Sequence, residues 1–290
     1  MAERLREKSR RTDLAEYSIP RRADSVPAPA SCAQSRLWFL DQLQPGQAVY
    51  NMPAAVKLVG SLQTAALNQA LNGLVARHAS LRTVFQMAAG RPVQIVQSAG
   101  LIALPIVDLS NLWEAERLME LGRLTREAAS LPFDLATGPL ARAALLRTGG
   151  AEHKLVLVLH HIVCDGWSIS VLTHELSTLH NNLSSGLPSA LLELPIQYAD
   201  FAEWEGKRLE SRTLSPQLEF WKQRLSGAPP TLDLPGKGRT ETGAPPGLKR
   251  RFWIPEDRAE AVLALSRSQD ATQFMVLVSA FFALLHRYTG

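Results

Sequence analysis

Apolar positions along this chain recur in two rhythms, one helical and one alternating. Ser31 to Leu43 places Leu37, Leu40 and Leu43 at helical spacing. Asn51 to Val59 has the composition of a strand. Ala65 to Ala79 sets Leu67, Leu71, Leu74 and Val75 on one helical face, with Ser61 or Thr64 near its start. Leu81 to Met87 and Pro92 to Val96 read as strands joined at Ala89-Gly90, and Trp113 to Ala129 reads as a helix. Leu140 to Arg147 and Lys154 to His160 form a strand pair around Gly149-Gly150. The second of these carries the unbroken apolar run Leu155-Val156-Leu157-Val158-Leu159, the mark of a buried strand. Ser168, a good N-cap, then opens a segment with Val171, Leu172, Leu176 and Leu179 at helical spacing. The alternation predicts a mixed α/β lobe ending near Leu183.

Three parts follow from this pattern. Residues 1–30 start charged and become a polar tail with Pro20, Pro27 and Pro29, read as a linker. Residues 31–183 form the lobe. Residues 184–290 form a connector and the beginning of a second lobe. Within that last part, Pro195 to Leu225 is largely helical and carries Tyr198, Phe201, Trp204, Phe220 and Trp221. Ala228 to Gly247 is too rich in Pro and Gly to pack as one element. Arg250 to Ile254 is a strand candidate, and Glu256 to Ser268 and Thr272 to Arg287 are helical. The last helix is strongly apolar (Phe274, Leu277, Val278, Phe281, Phe282, Leu285) and needs a partner surface.

The 290 residues suffice for one large domain or two ordinary ones, and 46% hydrophobic residues suffice for a sizeable core. The net charge of +4 is not clustered outside the N-terminal tail. With no zinc-finger spacing and no arginine-rich recognition helix, a nucleic-acid partner is not expected. Two cysteines far apart, Cys32 and Cys164, make no disulfide framework. The first residues lack the apolar centre of a signal peptide, and no apolar run approaches a membrane span. A soluble cytoplasmic chain is expected.

The candidate chemistry sits where the buried strand runs out, in His160-His161-Ile162-Val163-Cys164-Asp165-Gly166-Trp167-Ser168. An imidazole with a pKa near ~6.5 takes and returns a proton at cellular pH. Adjacent residues of a strand point to opposite faces, so His160 and His161 divide into one reacting and one packing residue. Asp165 either orients the imidazole or pairs with a cation and holds the loop. Gly166 allows a tight turn, and the helix beginning here offers free N–H groups to developing negative charge. A metal site would need more than these opposite-facing imidazoles and one carboxylate, so none is assigned. Cys164 reads better as a small buried residue than as a nucleophile.

The segment His160 to Ser168 resembles the HHxxxDG signature of condensation domains of nonribosomal peptide synthetases. Three further segments agree in order. Ser31-Cys32-Ala33-Gln34-Ser35-Arg36-Leu37-Trp38-Phe39-Leu40 is similar to the opening SxAQxRLWxL motif. Arg77-His78-Ala79-Ser80-Leu81-Arg82-Thr83-Val84-Phe85 is similar to RHxxLRTxF, and Tyr198-Ala199-Asp200-Phe201-Ala202-Glu203-Trp204 to YxDFAxW. The resemblance implies a fold like chloramphenicol acetyltransferase, with two mixed α/β lobes around a tunnel. It implies amide formation between a donor acyl or peptidyl thioester and an acceptor aminoacyl thioester. Upstream and downstream peptidyl carrier domains would present these on phosphopantetheine arms, an adenylation domain of the same synthetase would be a further partner, and no cofactor would be bound directly.

Carried over by position, His161 accepts a proton from the attacking amine or holds that amine. His160 is structural, and Gly166 lies beside the thioester. Asp165 is ion-paired with Arg82, or with Arg77 in reserve. Ser31, Gln34, Arg36, Trp38, Tyr198, Asp200 and Trp204 are motif and core positions. The opening and fourth motifs resemble those of domains joining two L-configured partners. The family's later motifs lie beyond Gly290, so an incomplete second lobe, inactive in isolation, is expected. Two other readings stay open: a non-catalytic carrier-binding fragment, and a CoA-dependent acyltransferase using the His161 to Asp165 HxxxD core.

Overall fold

A computed structural model describes residues 18–23, 27–188, 191–211, 214–229, 231, 232, 234 and 252–289. In chain order these give β1 (Ala28–Pro29), α1 (Cys32–Leu43), β2 (Asn51–Val59), α2 (Thr64–Arg77), β3 (Thr83–Ala88), β4 (Arg91–Val96), β5 (Ile106–Asp108) and α3 (Glu114–Ser130). They continue with β6 (Ala141–Arg147), β7 (Glu152–His160), α4 (Gly166–Ser184), α5 (Tyr198–Glu210), α6 (Ser215–Arg224), α7 (Glu256–Ser268) and α8 (Gln273–Thr289). The chain divides into two compact units, one up to Ser215 and one from Pro216.

The first unit is built around a sheet of order β2-β7-β6-β5, antiparallel except for the β5–β6 pair. Strand β7 is apolar at five successive positions because both of its faces are covered. Leu155, Leu157 and Leu159 pack with Leu67, Leu71 and Leu74 of α2 and Leu172, Leu176 and Leu179 of α4. Val156 and Val158 face the other way, among Phe85, Phe133, Leu140 and Leu146. Each side chain fully buried here contributes about 1.5–3 kcal/mol. Asn51 pairs with His160 in the last register position of β2 and β7, where the His-His sequence begins.

A second sheet of order β1-β4-β3 flanks the first. Its edge strand corrects the expected linker: Ala28 and Pro29 pair with Gln94 and Val93. Arg22 is also held, its N–H donating to Asp200 Oδ1 at 3.0 Å and its guanidinium pairing with Glu203. Helix α5 packs with this unit and buries Ala199, Asp200 and Ala202.

Helices α2 and α4 are cross-linked by a buried acid. Glu175 Oε2 accepts from Arg77 Nε at 3.1 Å and lies 2.6 Å from His78 Nε2. Arg77 also donates to the Leu192 carbonyl at 2.6 Å. The arginine held in reserve as the partner of Asp165 is therefore committed elsewhere.

In the second unit α7 and α8 meet at a corner where Asp270 takes φ 48° and Ala271 N donates to Ser266 O at 2.9 Å. Phe274, Phe281 and Phe282 are exposed on α8. Among the described residues no single helix is long and apolar enough to cross a membrane. The strand expected over Arg250 to Ile254 does not form at Phe252 to Ile254, which are irregular; Arg250 and Arg251 lie outside the described residues.

Candidate functional site

The two imidazoles at the end of β7 do divide between faces. His160 is 2% exposed, with its ring edge-on to Tyr50 and Phe133, each at 6.2 Å between centroids. Its Nδ1 accepts from the backbone N–H of Ile162 at 3.1 Å. The Arg142 guanidinium lies over the Phe133 ring, 3.6 Å from its centroid. Burial, and secondarily the neighbouring His161, push the His160 pKa down to about 4.

This has an acid-stability consequence. The unfolded chain takes up a proton at His160 below pH ~6.5, whereas the folded chain resists until about pH 4. The contribution is fully present above ~6.5 and is lost as pH falls toward 4, amounting to roughly 3 kcal/mol. Urea unfolding at a series of pH values is expected to show this slope, and a His160→Gln variant to lack it.

His161 is exposed, and its backbone N–H extends the ladder by donating to Tyr50 O at 2.9 Å. Its Nδ1 lies 2.7 Å from the carbonyl oxygen of Cys164. A carbonyl only accepts, so Nδ1 carries the proton and Nε2 of the neutral ring holds a free lone pair. The local turn thus fixes a tautomer suited to taking a proton from solvent-side chemistry. The Cys164 thiol itself is buried, and burial, with the Asp165 charge second, raises its pKa to about 12. It is not an activated nucleophile.

Asp165 does not form the expected ion pair. Its carboxylate accepts from Ser168 N at 2.8 Å and Ser168 Oγ at 2.6 Å, while Asp165 N donates to Ser168 Oγ at 3.2 Å. This capping box makes Asp165, not Ser168, the N-cap of α4 and starts the helix at Gly166. These hydrogen bonds also hold the Asp165 carboxyl below its usual pKa. Arg82 turns instead toward the carbonyl of Gln97, in a separate cavity of about 160 Å³ that also includes Thr137. A cap contributes less than a buried ion pair. Asp165→Ala is therefore expected to cost about 1 kcal/mol in urea unfolding, not the ~3–5 kcal/mol of a broken buried pair.

His161 opens onto a cleft of about 430 Å³. Helix α1 contributes Gln34, Arg36 and Leu37; Ser80 comes from the turn after α2; Asp165 and Ser168 come from the start of α4; Tyr198 begins α5. All four sequence motifs therefore converge on one space within the first unit. Ser31 is the buried N-cap of α1, and its Oγ is 3.1 Å from Tyr198 OH. Gly166 is exposed, and a Cβ there would meet no heavy atom within 4 Å, so the approach over the α4 N-terminus is open.

The other motif residues are supports. Trp38 packs against the core around Phe85 and Phe133. Asp200 caps α5 by accepting from Gln197 N at 2.7 Å. Trp204 lies beside Phe201, with Arg208 5.1 Å from its ring centroid. Sequence reasoning misses Ser80, an unspecified position of its motif, and Gln94, a buried carboxamide in β4 that belongs to no motif. Among the described residues no group of three His, Cys, Asp or Glu side chains is placed to hold a metal ion.

Comparison with known proteins gives a consistent result. Residues 26–290 match the family described as Condensation domain. The chain is 42% identical over 275 residues to phosphinothricin tripeptide synthetase PhsC of Streptomyces viridochromogenes, covering 94% of this chain and 25% of that protein. It is 41% identical over 263 residues to chondramide synthase cmdD of Chondromyces crocatus, covering 90% of this chain and 7% of that protein. The chain thus spans a quarter or less of the length of these curated relatives. Among solved structures, it is similar to the first condensation domain of the calcium-dependent antibiotic synthetase in complex with a substrate analogue. That match has a TM-score of 0.76 and 26% identity, and it covers 91% of this chain and 62% of the other.

Proposed function

This chain belongs to the condensation-domain family of nonribosomal peptide synthetases, and from that premise we propose that it joins two carrier-bound building blocks through an amide bond. The donor is an acyl or peptidyl thioester and the acceptor an aminoacyl thioester, each on the phosphopantetheine arm of a peptidyl carrier domain. An adenylation domain of the same synthetase supplies the activated amino acid, and the reaction runs in the cytoplasm.

The observation that carries this reading is the His161 ring, with Nδ1 committed to the Cys164 carbonyl and Nε2 free beside the cleft where the four motifs meet. The acceptor nitrogen attacks the donor carbonyl, forming the C–N bond. His161 Nε2 takes the proton released by the nitrogen. Collapse of the tetrahedral centre breaks the C–S bond, and the departing thiolate takes the proton back. The N-terminal turn of α4 lies at the edge of this cleft, where its partial positive charge favours the developing oxyanion. Lack of a side chain at Gly166 leaves room for an arm to reach the imidazole.

Because the chain matches 62% of a solved condensation domain and is expected to be inactive alone, the test offers three substrate pairs to a synthetase that carries this chain within a full-length condensation domain: donor and acceptor thioesters on carriers, the same carriers with the donor as free acyl-CoA, and free acyl-CoA with a small soluble amine. Dipeptide released from the acceptor carrier in the first pair alone supports the proposal. Carrier binding without dipeptide reduces the chain to a docking fragment. Turnover of the third pair reassigns it as a CoA-dependent acyltransferase.

A further inference from the structure

Beneath the His161 loop lies a pair of buried carboxamides, Gln34 of α1 and Gln94 of β4, at 2% and 1% exposure. We infer that this pair positions the catalytic imidazole by fixing the loop that carries it, an inference that rests on the proposed role of His161.

The hydrogen bonds run in one direction through the pair. Gln94 Nε2 donates to Pro29 O at 2.9 Å, which ties the residue to strand β1. Gln94 Oε1 accepts from Gln34 Nε2 at 3.2 Å. Gln34 Nε2 uses its second hydrogen on Ile162 O at 3.3 Å, and its Oε1 accepts from Ser31 N at 3.0 Å. Both hydrogens and the carbonyl of Gln34 are therefore in use, leaving one orientation for that side chain.

Ile162 is the residue after His161. Its carbonyl is fixed by Gln34, and its N–H is fixed by His160 Nδ1. The ring of His161 closes on Cys164 O, two residues further along the same loop. The loop thus has a buried polar anchor on each side of Ile162, and the position of the Cys164 carbonyl that sets the His161 tautomer depends on them. Among the described residues, the side-chain hydrogen bonds of Gln94 go to Gln34 and Pro29 and none to the loop. Gln94 holds Gln34, which holds the loop, and it links the β1-β4-β3 sheet to the end of β7. Both glutamines are positioning residues.

The test compares Gln94→Leu with Gln94→Glu in the full 290-residue chain. A buried glutamic acid stays neutral and matches the carboxamide in shape, with one acceptor for Gln34 and one donor for Pro29 O. Leucine supplies neither. Long-range ¹⁵N–¹H spectra read the His161 tautomer directly and need no substrate. Wild type and Gln94→Glu are expected to show the proton on Nδ1. Gln94→Leu is expected to show a mixture with Nε2 protonated. In amide formation by a synthetase that carries this chain within a full-length condensation domain, Gln94→Leu should lose about tenfold in kcat with KM changed less than about twofold, and Gln94→Glu should recover to within about threefold. Gln94→Met, which preserves volume, is measured alongside and is expected to behave as leucine does. A folded Leu or Met variant with an unaltered His161 tautomer overturns the inference. Loss of the tautomer signal in wild type overturns it as well. Absence of amide product in wild type with the tautomer dependence intact instead overturns the proposed function alone.

Discussion

Replacing His161 with alanine is expected to slow amide formation by about 10²–10⁴-fold, the range associated with a positioned general base. The side chain is exposed at the cleft and, among the described residues, makes one hydrogen bond, to the Cys164 carbonyl within its own loop, so the variant should fold and should still bind loaded carriers. The deficit is expected in kcat, with the apparent KM for either carrier little changed. Single-turnover transfer from donor to acceptor carrier measures it, with carrier binding followed separately. Turnover within about threefold of wild type would remove His161 from the chemistry. The neighbouring residue should behave in the opposite way: His160 is buried against Tyr50 and Phe133, so its replacement acts on stability first.

The second large effect lies away from the cleft. Glu175→Ala is expected to destabilise the chain by about 2–3 kcal/mol, below the ~3–5 kcal/mol of a fully buried pair, because Arg77 loses its carboxylate partner but is half-buried and keeps its hydrogen bond to the Leu192 carbonyl. His78 loses the same partner. Helices α2 and α4, which flank Leu155, Leu157 and Leu159, lose their polar cross-link while keeping their apolar contacts. Urea unfolding measures the loss. Replacing the pair together, Arg77→Met with Glu175→Leu, should recover most of it, since a buried ion pair and a well-packed apolar pair of similar volume differ little in net stability. A loss below ~1 kcal/mol for Glu175→Ala would show that the carboxylate carries no structural weight.

What can be read from the sequence differs from element to element for physical reasons. Strand β7 is legible because a strand covered on both faces must be apolar at every position, and Leu155 to Leu159 is. Strand β2 and helix α7 match their expected bounds. Strand β5 is illegible because three residues are too few to establish a rhythm, and its pairing with β6 is a long-range parallel contact.

Helix α4 starts three residues earlier than its spacing predicts because both ends of its capping box, Asp165 and Ser168, are residue types that cap helices. The expected ion pair of Asp165 is absent for a related reason: once Ser168 supplies two hydrogen bonds, the carboxylate has its partners locally. Arg77 instead meets Glu175, an acid on the same helical face as Leu172, Leu176 and Leu179. A charged residue within an apolar stripe signals a buried partner, but the sequence does not say which.

The site itself is visible in the sequence as the His-His pair and its glycine. That the two imidazoles point different ways follows from strand geometry; that His161 is the exposed one does not, because both faces of β7 are covered and His161 lies just past its end. The tautomer does not follow either, because it depends on where the Cys164 carbonyl points. Gln94 is invisible for the opposite reason: a glutamine among β4 residues looks like a solvated position until Gln34 is brought against it.

Alkylation of His161 by a tethered electrophile tests the central claim most directly. An acceptor carrier whose pantetheine arm ends in a haloacetamide is incubated with the protein, and the modified peptide is mapped by mass spectrometry. Attachment at His161, absent in His161→Ala and absent when the same haloacetamide is offered without its carrier, is the predicted result. Attachment elsewhere, with His161 unmodified while the carrier binds, would contradict the account.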